Sequence, residues 1–90
     1  MRRKNAHLLE ILGWRLFFYS NEANEPMHIH ARKAEMECKY WIDAENYNIV
    51  EEYSYGLKVR DQREIRKIIF DHFDYIIAQW KKFHGGKADA

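Results

Sequence analysis

Aliphatic and aromatic residues crowd two short stretches, His7 to Leu12 and Trp14 to Ser20, on either side of Gly13, a pattern that predicts an antiparallel hairpin. With Leu12-Gly13 as a two-residue turn, Ile11 faces Trp14, Leu9 faces Leu16 and Glu10 faces Arg15, so apolar meets apolar and acid meets base. Asn21 to Pro26 is polar and reads as a loop, after which His28 to Arg32 alternates with period two. Met36 to Ile42 alternates as well. A tight turn centred on Ala34-Glu35 sets Ile29 opposite Tyr40, Ala31 opposite Cys38 and Arg32 opposite Glu37, and it places His30 opposite Lys39 and His28 opposite Trp41. Tyr47 to Tyr53 is a candidate fifth strand of mixed polarity.

From about Val59 to His84 the spacing becomes helical, with Ile65, Ile68, Ile69, Phe73, Ile76, Ile77, Trp80 and Phe83 recurring at three and four. Asp61 with Glu64 resembles a capping box at the start, and Gly85 suits the position after the end. The apolar stripe needs a sheet to cover. The expected fold class is therefore α+β: an antiparallel β-sheet of four to five strands with one long C-terminal helix packed on one face. Period two then sorts the strand residues. Leu9, Ile11, Trp14, Leu16, Phe18, Ile29, Ala31, Cys38, Tyr40 and Ile42 meet the helix, while Arg15, Phe17, Tyr19, His28, His30, Arg32, Glu37, Lys39 and Trp41 occupy the other face.

Ninety residues, 47% of them hydrophobic, supply one core and not two, so residues 1–90 are expected to form a single domain, with an ordered core of about 7–84 and tails at 1–6 and 85–90. The formal net charge of +1 does not announce a nucleic acid or a membrane, but it is unevenly spread: residues 1–33 carry +3, residues 34–54 carry −5 and residues 55–90 carry +3. Cys38 stands alone, which excludes an intrachain disulfide framework and a cysteine-based zinc site. Apolar runs such as Leu16 to Tyr19 are far shorter than a membrane span. A cytoplasmic location is expected by elimination.

The face away from the helix carries the candidate chemistry. Arg15, Arg32 and Lys39 can contact phosphates while Phe17, Tyr19 and Trp41 can stack on bases, the logic of sheets that read single strands; a second minor cluster or a dimer interface would use the same aromatics. His28 and His30 are two apart on a strand, so their Cα atoms lie about 6.6–6.8 Å apart and both rings address one side. They are candidates for general acid and base, with Lys39 and Arg32 stabilising phosphate charge. Glu22 and Asn24 are candidate oxygen ligands from the preceding loop, where such residues more often form turns, and Lys39 opposite His30 would repel a cation. No metal and no cofactor is expected. His7, His72 and His84 share no spacing with this pair.

Gly13 to Glu22, Asn24-Glu25-Pro26-Met27-His28-Ile29-His30, Glu37 to Ile42, Tyr55-Gly56-Leu57, Glu64-Ile65 and Trp80 together resemble the small bacterial family called domain of unknown function 4160, over about residues 8–84. The resemblance implies a neighbouring small protein as partner, because members are often encoded beside one and have been suggested to act in toxin–antitoxin pairs. Ala23 stands where relatives often carry another His, Met27 replaces the second Pro of a Pro-Pro-His pattern, and Lys58 takes the place of a Ser that would cap the helix. The expected function is a binding module that uses Arg15, Tyr19, Arg32, Lys39 and Trp41 toward a second small protein or RNA, with no membrane partner and with a homodimer open. A metal-independent ribonuclease built on His28 and His30 is the alternative, and an enzyme is the less favoured of the two.

Overall fold

The computed structural model describes residues 5–22 and 24–88. Parts of the expected tails, residues 1–4 and 89–90, lie outside the described residues. Five strands, β1 (Asn5–Ile11), β2 (Trp14–Tyr19), β3 (His28–Lys33), β4 (Met36–Asp43) and β5 (Asn48–Tyr55), form one antiparallel meander in chain order. Two helices, α1 (Val59–Asp71) and α2 (Phe73–Ala88), follow.

Turn chemistry fixes the register. Leu12 and Gly13 both take positive φ, 53° and 85°, as a two-residue turn matched to strand twist requires, and Glu10, Ile11 and Leu9 pair with Arg15, Trp14 and Leu16. Ala34 at φ 53° closes the β3–β4 turn, and all five anticipated pairs are present, including His30 with Lys39 and His28 with Trp41. The register shifts once between His7 and Leu9, and once at Lys39/Tyr40 against β5, where Tyr53 and Glu51 are the partners.

The core lies between sheet and helices. Leu16, Phe18, Ile29 and Tyr40 are fully buried, as are Ile65, Ile69 and Ile76, with Phe73 and Trp80 closing the layer. Trp14 Nε1 donates to Glu64 Oε1 at 2.9 Å, and Lys33 Nζ lies 3.4 Å from the same oxygen, fastening the first two hairpins to α1.

Three expectations need correction. The single long helix is two, because His72 has φ −119° and ψ 24° and its Nδ1 donates to the Ile68 carbonyl at 2.9 Å, competing for a backbone acceptor. Asp61 does not begin the helix; it sits in the first turn and accepts from the Lys58 N–H at 2.9 Å, while Glu64 is spent on Trp14 and Lys33. The helix does not stop before Gly85, since α2 continues to Ala88. No helix among the described residues is long and apolar enough to cross a membrane.

Candidate functional site

The site begins where β2 and β3 part. Their ladder pairs Arg15 with Arg32, Leu16 with Ala31 and Phe17 with His30. Beyond it, the chain leaves β2 through a 3-10 turn, Ser20–Glu22, that brings a carboxylate back to the sheet. Glu22 Oε1 accepts from the Tyr19 N–H at 3.1 Å, an i,i+3 contact that closes the turn on itself.

Around this carboxylate stand the two imidazoles. His30 Nε2 lies 2.9 Å from Glu22 Oε2 and 3.1 Å from Oε1, and His28 Nε2 lies 2.8 Å from Oε1. Exposure is 4% for Glu22, 0% for His28 and 3% for His30, so water has been removed from all three. Among the described residues, Glu22, His28 and His30 form the one group of such side chains able to hold a metal ion, with one ligand atom from each lying within 4.8 Å of the others.

The second nitrogen of each ring is also engaged. His28 Nδ1 donates to the Pro26 carbonyl at 2.8 Å, and His30 Nδ1 lies 3.5 Å from the Tyr53 hydroxyl. Burial and nearby acidic side chains push Tyr53 up to about 12, so its proton stays in place at neutral pH. Burial lowers the His30 imidazole's affinity for a second proton and outweighs Glu22, which pulls the other way. For Glu22 burial pushes up, but its contacts with His28, His30 and the Tyr19 N–H prevail and hold the carboxyl below its usual range.

Rings enclose the cluster. Phe17 stacks on His30 at 5.3 Å with an interplanar angle of 13°, and Tyr19 meets the same ring edge-on at 4.8 Å. His28 departs from the expected division into faces: its ring touches Trp41 on the outer side at 5.4 Å and also Trp80 of α2 at 4.9 Å. His84, which the sequence left unconnected, packs on Trp80 at 4.1 Å and donates from Nε2 to the Tyr19 carbonyl at 3.2 Å. Its four-residue spacing from Trp80 was the one available sign that both face the same place.

The residues expected to bind a partner divide. Lys39 is 9% exposed; its Nζ lies 2.8 Å from Glu25 Oε1 and 4.4 Å from the centre of the Trp41 ring. Trp41 Nε1 donates to Glu52 at 2.7 Å, and Tyr19 is half-buried over His30. Arg15 and Arg32 remain outward and line a groove with His7 and Phe17. Arg32 contacts Glu37 at 3.1 Å.

A five-stranded meander backed on one face by two helices, with a buried carboxylate–imidazole cluster where its second and third strands part, defines a small α+β domain built around one polar site. The family model described as Domain of unknown function (DUF4160) matches residues 13–81, and the chain belongs to that family. That span takes in the whole cluster, the Arg15–Arg32 pair and most of both helices. Comparison with curated proteins and with solved structures found no match.

Proposed function

We propose that this chain is a small protein-binding module whose contact surface is the strip of outer sheet centred on Arg15 and Arg32. The observation that carries the reading is the order of charges across one row of the sheet. Glu10 pairs with Arg15, Arg15 with Arg32, Arg32 with Glu37, and Glu37 with Tyr55. Two like charges directly opposite each other are unfavourable in isolation and gain from a carboxylate laid between them.

The same row argues for protein over RNA. Neighbouring strands are about 4.8 Å apart, so the acid–base–base–acid sequence spans only about 14 Å. A nucleic acid strand is negative throughout and would meet Glu10 on one side and Glu37 on the other. A partner protein can present acid to the arginines and base to the flanking glutamates. The second small protein suggested by the family resemblance is a partner of this kind, and a toxin–antitoxin pair is one setting for it.

The ribonuclease alternative asks His28 and His30 to reach a substrate proton directly, and side chains this deeply buried lend it little support. The test is to isolate the protein at native level from its source cells, identify what co-purifies, and titrate the two purified chains. Arg15→Ala and Arg32→Ala are each expected to weaken binding by tenfold or more, given how often arginine anchors an interface. Salt-sensitive binding of a mixed-sequence single-stranded RNA, lost in the same variants and without any protein partner, would contradict the proposal.

A further inference from the structure

We infer that Glu22, His28 and His30 form a binding site for one divalent transition-metal ion of the zinc type, held by a carboxylate oxygen and the Nε2 atoms of both imidazoles. Proton accounting at His28 carries the argument. A carbonyl oxygen only accepts, so the 2.8 Å contact with Pro26 assigns the ring proton to Nδ1. In the neutral ring Nε2 is then a bare lone pair, and it lies 2.8 Å from a carboxylate oxygen that is itself an acceptor. Two acceptors at that distance repel unless a metal ion or an added proton stands between them. His28 Nε2 is fully buried and makes no hydrogen bond of acceptable geometry, although Glu22 is so close. A buried lone pair with no donor to accept from is available for coordination.

The second nitrogens fit the same reading. Histidine ligands commonly pass their other N–H to a carbonyl or another oxygen, which fixes the ring and the tautomer. Pro26 supplies that acceptor for His28, and the Tyr53 hydroxyl stands at that position for His30. Two imidazoles and one carboxylate match the preferences of zinc and its neighbours in the first transition row, not those of magnesium or calcium. Bonds of about 2.0–2.2 Å set tetrahedral ligand separations near 3.3–3.6 Å, so the contacts of 2.8 and 3.1 Å that Glu22 Oε1 makes with His28 and His30 need to open by less than about one ångström.

The objection raised by Lys39 weakens in three dimensions, since its ammonium is drawn onto Glu25 and over the Trp41 ring. Because all three ligands are buried, the ion has no open approach for a substrate, and its effect is to fasten the Ser20–Glu22 turn to β3.

The experiment titrates Co²⁺ and then Zn²⁺ into tag-free, chelator-treated full-length protein, following visible absorption and the thermal midpoint. One equivalent is expected to bind with a dissociation constant on the order of micromolar or tighter, Zn²⁺ displacing Co²⁺, and saturation is expected to raise the midpoint by several degrees. Glu22→Gln and His28→Ala are each expected to weaken binding at least about 100-fold, and His72→Gln to leave it unchanged. Circular dichroism of each variant separates lost binding from lost folding. The wild-type titration alone can overturn the inference: no saturable one-to-one binding would do so, as would binding that persists in folded Glu22→Gln. Proton-coupled nitrogen spectra showing a proton on both His28 nitrogens, unchanged by metal, would replace the ion with an imidazolium–carboxylate pair.

Discussion

Adjacent rows of the same strands are equally buried for opposite reasons. On the inner face Leu16, Ala31 and Cys38 are at most 1% exposed and belong to the hydrophobic core. One residue along, on the outer face, Phe17, His30 and Lys39 are 5%, 3% and 9% exposed. The inner row is dry because two helices lay isoleucines and aromatics over it, and each buried area contributes free energy. The outer row is dry because the segment between β2 and β3 folds two carboxylates, Glu22 and Glu25, onto a histidine and a lysine. Desolvating such groups costs several kcal/mol per ion before pairing recovers it. The first kind of burial explains why the chain folds, and the second calls for a separate reason to exist.

Truncating the inner layer should have the largest effect on stability. Phe73→Ala removes a core side chain at 2% exposure whose ring lies 4.5 Å from that of Tyr47, and is expected to cost about 3–5 kcal/mol in urea denaturation. If Trp41→Ala on the outer face costs as much, the division fails. Glu22→Ala in chelator comes next, at about 1–3 kcal/mol, because the Tyr19 N–H and the His30 ring lose their acceptor in a dry setting. Gly13→Ala is expected to cost about 1–2 kcal/mol, since a Cβ at φ +85° is strained and would approach Lys33 Cε to 3.1 Å. At the low end, Arg15→Ala should change stability by no more than about 0.5 kcal/mol while weakening partner binding, which marks it as a contact residue. The inner face also makes a chemical prediction: burial, with Glu51 and Glu37 nearby, pushes the Cys38 thiol up to about 12, so a thiol reagent at pH 8 should label it only as fast as the protein unfolds. Rapid labelling of folded protein would show the inner layer to be open.

What the sequence disclosed follows the range of the forces involved. Both tight hairpins were readable because a two-residue turn and period-two alternation leave one register, and the Ile29–Tyr40 and Leu9–Leu16 pairs follow from it. The two register shifts were not readable, because an extra residue such as Leu8 carries no composition of its own and is set by how the strands twist. The interruption at His72 was hidden by a stripe that continues across it from Ile68 and Ile69 to Phe73 and Ile76, with no Pro or Gly to mark it. At the site, the shared direction of His28 and His30 was visible in their spacing, whereas Glu22 was one loop acid among several. Its placement depends on the 3-10 turn and the Tyr19 N–H, which are tertiary facts. The partial burial of the face away from the helices was hidden for the same reason, since the loop that folds onto it has no periodicity to read.

Whether the outer face is built around an ion site is tested best by a crystal structure of the full chain grown with zinc, with diffraction collected on both sides of the zinc absorption edge. One strong anomalous peak is expected about 2.0–2.2 Å from a Glu22 oxygen and from Nε2 of both His28 and His30, with the His28 Nδ1 contact to Pro26 intact. Peaks confined to surface histidines such as His7, with Glu22 still in direct contact with both imidazoles, would contradict it.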